Sequence, residues 1–337
     1  MNIEPHILDE SGYEDWDRFV ASSPTGSVYA CTRYLDVLAK STGCRFRILA
    51  LTANGVCVGG TALFERETRW GTILEPRLLL QYNGFVVGEG ASRYPSQQTS
   101  SLIKLTDELA KSIEAQGYAR TLIKFRWPFV DARALLQRGW QAAPTYTYLV
   151  PLSDLKQQWE LVDRNLKRLI RRCDREGVTV TVDDDFESFY RMHEETHIRK
   201  GAPIYLPRTD FRNYFGALHE AGLARLFHAR LPDGKSIASQ LVLTGDHPVC
   251  ETVSACADGE HLKTGSNAYL RWKAFETLAD EGYLHNDLTD ASLNSVTRFK
   301  SQFGGDLRLC LVLEYPSTRR YRWGSRLSSV ARTLLRR

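Results

Sequence analysis

The feature that most constrains this 337-residue chain is a displaced likeness between its two halves. Gly117-Tyr118 recurs as Gly282-Tyr283, and the same displacement of 165 residues carries Gly139 onto Gly304, with a helical pattern before each pair and a strand pattern after it. The recurrence predicts a duplicated α/β unit. At this length the chain can bury two cores, so a two-lobed α+β protein is expected.

The first lobe opens with helical patterns around Trp16 and Phe19 and around Tyr34, Leu35 and Leu38. Strands are expected at Phe46–Leu51 and Val56–Phe64, joined by the hairpin signal Ala53-Asn54-Gly55, with a third near Arg77–Tyr82. Leu102, Leu105, Leu109 and Ile113 form one stripe of a helix over Ser101–Gln116. Ala119–Phe125 (strand), Asp131–Gln137 (helix) and Tyr146–Leu152 (strand) complete the lobe.

In the second lobe, helices at Phe186–Arg199 and Phe211–Ala221 precede a meander over Ala224–Ala229, Ile237–Leu243 and Val249–Ala255. A helix over Asn267–Asp280, a strand, a short helix and a last strand at Leu307–Leu313 follow. The expected domains are 1–152, structural and part of the substrate cleft; 153–318, carrying the chemistry; and a basic tail, 319–337.

Between the lobes, Val162, Leu166, Leu169 and Cys173 share one helical face and Arg164, Arg168, Arg171 and Arg175 another, so Trp159–Glu176 reads as one amphipathic basic helix. Its arginines either form a solvated face or meet phosphate oxygens with their guanidinium forks. Apolar residues at 43%, charged residues at 25% and a net charge of +4 are ordinary globular values that permit anionic partners without singling one out. No stretch approaches the roughly 18 apolar residues of a membrane helix, and the start has no leader pattern, so a cytoplasmic protein without integral membrane contact is expected. Seven scattered cysteines without a CxxC pair form neither a disulfide framework nor a zinc site.

His193-Glu194-Glu195-Thr196-His197 matches H-E-x-x-H, the two-histidine pattern of zinc hydrolases, but nothing downstream supplies a third ligand by spacing, and the helix has an adequate packing role. Glycine-rich nucleotide loops and the G-x-S-x-G elbow are absent. What remains is the end of the second lobe: Gly265 to Leu270, Asp287-Leu288-Thr289-Asp290, and Phe299-Lys300 before Phe303-Gly304. Ser266 or Asn267 is suited to cap a helix, leaving N–H groups for an anion. The same displacement carries Lys300 back onto Leu135, so the architecture recurs and the cation does not. That contrast favours a chemical role for Lys300.

These segments, with the helix Asn165–Arg172 and Arg199-Lys200-Gly201-Ala202-Pro203-Ile204-Tyr205, resemble FemAB-like proteins of the GNAT superfamily over most of residues 150–315 and more faintly over the first lobe. The resemblance implies two tandem GNAT-like domains, each a mixed, mostly antiparallel sheet flanked by helices. It also implies transfer of an aminoacyl group from aminoacyl-tRNA to the amine of a small peptide or other amino-bearing acceptor. Lys300 would then stabilise the tetrahedral oxyanion or the leaving group, with Asp287 and Asp290 lining the nearby strand end.

Such a reaction needs no cofactor, because the donor is an activated co-substrate. Asp287 or Asp290 would orient or deprotonate the amine, the four arginines would hold phosphates, and Phe299, Tyr205, Ser266, Asn267 and Tyr269 would contact substrate. The usual CoA pyrophosphate loop is missing, since Glu260 to Ser266 lacks its glycine spacing. An acyl-CoA-dependent N-acyltransferase of a polysaccharide, lipid or natural-product pathway is the alternative. A non-enzymatic RNA- or membrane-associated binding protein and a zinc hydrolase using the HEETH segment stand behind it.

Overall fold

The computed structural model describes residues 3–323 except 78, 91 and 205. Contacts divide the chain into two compact units: the part up to Thr145 together with the chain from Leu309 onward, and Tyr146–Arg308.

The first unit contains β1 (Glu4–Ile7), α1 (Tyr13–Ser22), α2 (Thr32–Thr42), β2 (Arg45–Ala53), β3 (Val56–Arg66), β4 (Ile73–Leu74), β5 (Val86–Val87), α3 (Pro95–Glu114), β6 (Arg120–Phe125) and α4 (Arg133–Gln137). β7 (Gln141–Pro151) passes from this unit into the second. There follow α5 (Leu155–Leu161), α6 (Arg164–Arg175), β8 (Thr179–Val182), α7 (Phe186–Lys200), α8 (Arg208–Glu220), β9 (Ala224–Arg230), β10 (Ser236–Leu243), β11 (Val249–Ala257), α9 (Ser266–Asp280), β12 (His285–Asp287) and α10 (Ser295–Ser301). The last strand, β13 (Asp306–Tyr315), returns from Leu309 to the first unit.

The first unit's sheet runs β1-β2-β3-β4-β6-β13, with β5 also on β3. Among the described residues its strands pair antiparallel except β4 with β6, which are parallel. The β2–β3 hairpin closes at Ala53↔Val56, with Asn54 and Gly55 at φ 53° and 77°, the left-handed pair its twist requires. Leu109, Ile113, Ile123, Phe125, Leu135 and Leu313 bury one side of this unit.

The second unit's sheet runs β7-β12-β11-β10-β9-β8, antiparallel except for β11 beside β12. Its core joins Leu166, Ile170 and Cys173 of α6 to Leu270, Phe275 and Leu278 of α9 and to Phe227, Val242 and Cys250 of the sheet. Both units are therefore α+β, a mixed sheet with helices packed on it. No helix among the described residues is long and apolar enough to cross a membrane.

Two local expectations change. The described residues of Arg77–Tyr82 form no strand: the amide of Leu80 donates to the carbonyl of Arg77 at 2.7 Å and Leu79 sits at φ 68°, which turns the chain between β4 and β5. The basic segment is two helices, not one. The chain breaks at Val162-Asp163, where the Asp163 carboxylate accepts from the amides of Asn165 and Leu166 at 2.8 and 3.4 Å and restarts the helix as α6.

Candidate active site

β11 and β12 pair in parallel only from Val249↔His285 to Glu251↔Asp287. Beyond that point β11 carries a bulge: Leu241 of β10 faces Ser254 while Val242 faces Thr252, which leaves Val253 as the extra residue. Below the opening, Asn286 fixes the strands, accepting from the Thr252 hydroxyl at 2.8 Å and donating to the Cys250 carbonyl at 3.3 Å. Glu251 and Asp287, partners in register and so on one face of the sheet, are both fully buried.

Asp287 ends β12 and organises the turn after it. Its carboxylate accepts from the Thr147 hydroxyl and, at 2.7 Å, from the Thr289 amide. Thr289 and Asp290 follow at φ 45° and 47°, two consecutive left-handed residues without the freedom of glycine. The Thr289 hydroxyl ties this strained turn to the Thr252 carbonyl at 2.8 Å. The turn aims two carbonyl groups at one cation: Lys300 Nζ, from α10, donates to the oxygens of Thr289 and Asp290, the latter at 2.7 Å.

Lys300 is half-buried, and burial pushes its ammonium from the ordinary 10.5 down to about 8. The positive charge of Arg271 adds to the lowering, while Asp290 and Asp287 oppose it. Arg271, in α9, is 4% exposed, and its Nε and Nη1 have no hydrogen-bond partner among the described residues. Burial alone lowers it to about 10. Its guanidinium lies 5.7 and 5.8 Å from the ring centroids of Phe299 and Phe303, which are edge-to-face to each other at 5.3 Å. Two neighbouring cations thus share a partly desolvated place supplied with carbonyls and aromatic faces, a place that favours an added negative charge.

The comparisons bear on the same segment. Residues 162–301 match the family model described as an acetyltransferase (GNAT) domain. The crystal structure of FemX superposes with a TM-score of 0.70 at 17% identity, covering 94% of this chain and 97% of FemX. Its fold is that of the GNAT acyltransferases. L-PGS from Bacillus licheniformis (TM-score 0.57, 13% identity, 93% of this chain and 94% of that one) and a tandem GNAT protein from the clavulanic acid biosynthesis pathway (0.53, 11%, 94% and 100%) are similar over comparable spans. No curated protein matches by sequence. The GNAT domain match makes the chain an enzyme, a transferase, and sets aside the non-enzymatic binding protein.

Within the GNAT fold, the residues expected from the sequence fall into groups. Lys300, Asp287, Asp290 and Phe299 lie together around the turn after β12. Asp290 is exposed and turned to its own loop, its carboxylate accepting from the Ser292 hydroxyl at 2.6 Å.

Ser266 and Asn267 do not cap α9. The N-cap is Gly265 at φ 96°, and the Ser266 hydroxyl donates to the His261 carbonyl at 3.4 Å. Tyr269 is buried against α6, its hydroxyl donating to Asp174 at 2.9 Å, a packing role. Tyr205 and residues 324–337 of the basic tail lie outside the described residues.

Arg164, Arg168, Arg171 and Arg175 are exposed, as a solvated or phosphate-facing side requires. Arg171 stands 5.7 Å from the ring centroid of Trp159, beside a groove of about 650 Å³ lined by Trp159, Asp174, Trp272 and Lys273.

The HEETH histidines belong to packing. Burial and the neighbouring His197 lower His193 to about 4, and its Nδ1 is 3.4 Å from the Ser254 hydroxyl. His197 Nδ1 meets the Pro203 carbonyl at 3.0 Å. Among the described residues, the clusters able to hold a metal are Asp183, Asp185, His228 and Asp258, Glu260, His261, and neither includes His193 or His197. Burial raises the thiols of Cys31 and Cys173 to about 11, in keeping with structural cysteines.

Sequence reasoning misses Arg271 and Glu251. Glu251 had a signal, an acid inside the apolar strand Val249–Ala257. Arg271 had none, because a helical arginine ordinarily faces solvent.

Proposed function

We propose that this protein is an aminoacyltransferase that moves an aminoacyl group from aminoacyl-tRNA to the amine of a small peptide or other amino-bearing acceptor, and that it is built of two GNAT-like domains in tandem. Lys300, held by the Thr289 and Asp290 carbonyls beside Arg271, is the observation that carries the reading. An aminoacyl ester is already activated, so the protein's task is alignment and stabilisation of the charge that develops on the carbonyl oxygen. Lys300 supplies that charge. Arg271 adds to the local positive field, and Asp287 keeps the turn in place through Thr289. Asp290, exposed beside Lys300, receives or orients the acceptor amine.

Arg164, Arg168, Arg171 and Arg175 hold donor phosphates, with the Trp159 and Trp272 groove offering a stacking surface next to them. The likeness to FemX over nearly the whole chain supports the tRNA donor. An acyl-CoA donor is the second reading, favoured by the acetyltransferase model over residues 162–301.

The test offers labelled aminoacyl-tRNA and acyl-CoA pools in parallel to candidate amines. Product from the tRNA pool is expected, and Lys300→Met lowers the rate by about a hundredfold or more while the protein stays folded. Because Lys300 acts as a cation, the wild-type rate should fall as pH rises through about 8. Product from CoA alone reverses the choice of donor, and full activity in the Lys300 variant removes the catalytic assignment.

A further inference from the structure

Arg126 stands one residue beyond β6 in the first unit and is 3% exposed. Its Nη1 donates to the carbonyl of Gly26. A Cβ at Gly26 would lie 1.9 Å from the Val20 carbonyl, so only glycine lets that loop come close enough to offer its oxygen. The remaining edge of the guanidinium, Nε with Nη2, is shut away from solvent and has no hydrogen-bond partner among the described residues. Elsewhere in this chain the same edge grips carboxylates: Arg138 holds Glu114 at 2.9 and 2.5 Å, and Arg133 holds Asp131 at 2.9 and 2.6 Å. Among the described residues no acid pairs with Arg126.

Arg126 also lines a small cavity with Thr25, Ser27, Tyr29, Asn83 and Phe129. The Asn83 amide is committed to the backbone of β6, its Nδ2 to the Leu122 carbonyl at 3.1 Å and its Oδ1 to the Lys124 amide at 2.8 Å. The Trp127 ring, 4.9 Å from the guanidinium carbon, offsets part of the charge but leaves the N–H groups unanswered. A buried cation with two orphaned donors costs several kcal/mol unless a partner is supplied. A water would satisfy the donors without neutralising the charge.

The room decides the size of the partner. A water-sized atom can be centred over about 10 Å³ of the cavity, room for one small ion.

We propose that the first unit binds a monatomic anion of the halide class, chloride under ordinary conditions, between Arg126 Nε and Nη2. The position has a counterpart: β6 is the second strand of a parallel pair, as β12 is in the other unit, and both the anion site and the Lys300 site lie past that strand's end. The anion would lock the Gly26 loop to the end of β6.

The test has two independent arms. Crystals of the wild-type protein soaked in bromide should show an anomalous peak at roughly 3.2–3.5 Å from Arg126 Nε and Nη2, a little beyond oxygen hydrogen-bond distance because the halide is larger. Thermal midpoints measured as chloride replaces gluconate at constant ionic strength should rise by about 1–3 °C per tenfold increase above the dissociation constant, with no such slope in Arg126→Gln. A water or an empty cavity in the bromide crystal overturns the proposal, whether or not the variant folds. A peak with equal slopes in both proteins marks an adventitious ion and overturns it too. Stabilisation by acetate but not by halides would replace it with a carboxylate site.

Discussion

Lys300 and Arg271 form an unusual pair, because the charge of the buried arginine makes that of the lysine harder to keep. Burial is the larger cause of the lowered Lys300, and the Arg271 charge is the second. Removing that charge with Arg271→Met should move the alkaline limb of the rate profile to higher pH, since Lys300 then holds its proton more firmly. The same change removes an unpartnered buried cation and leaves an apolar side chain beside Phe299 and Phe303, so the thermal midpoint should hold or rise. A pH–rate series with a melting curve checks both, and an unmoved limb would separate Arg271 from the lysine's electrostatics. Lys300 is legible in sequence because the Phe-Lys segment resembles a family motif and its counterpart at 135 is leucine. Arg271 is not, since its burial comes from rings about thirty residues further along the chain.

Helix junctions govern how well the second unit is set. Gly265 begins α9 in a left-handed conformation, and a Cβ there would come 2.7 Å from Leu169 Cβ of α6, so both backbone and packing demand glycine. Gly265→Ala should cost about 1–3 kcal/mol, read as a lower denaturation midpoint with an unchanged slope. An unaffected midpoint would mean that α6 and α9 can move apart freely. The sequence shows the existence of most elements plainly, because periodicity reports which face is buried. It hides the break at Asp163, where the apolar spacing of α5 runs on into that of α6 although the aspartate itself is a good cap. The leucines after Arg77 mislead in the opposite way, since an apolar run cannot distinguish a strand from a buried turn.

At the scale of the molecule, the two compact units are not two consecutive lengths of chain. Residues of β13 from Leu311 to Tyr315 pair with β6 from Phe125 back to Thr121, and Leu313 is fully buried in the first unit's core. Ending the chain after Arg308 should therefore expose amides of β6 to hydrogen exchange and loosen the first unit, although the cut lies far from it in sequence. Exchange mapped on wild-type and shortened proteins checks this, and equal protection of β6 in both would count against it. The displaced likeness between the halves leads to an expectation of consecutive lobes and gives no sign of this return, because pairing partners nearly two hundred residues apart leave no local pattern. During synthesis the consequence is one of timing. The first unit must wait, one strand short, until Asp306–Tyr315 has been made, whereas the second can condense as it appears.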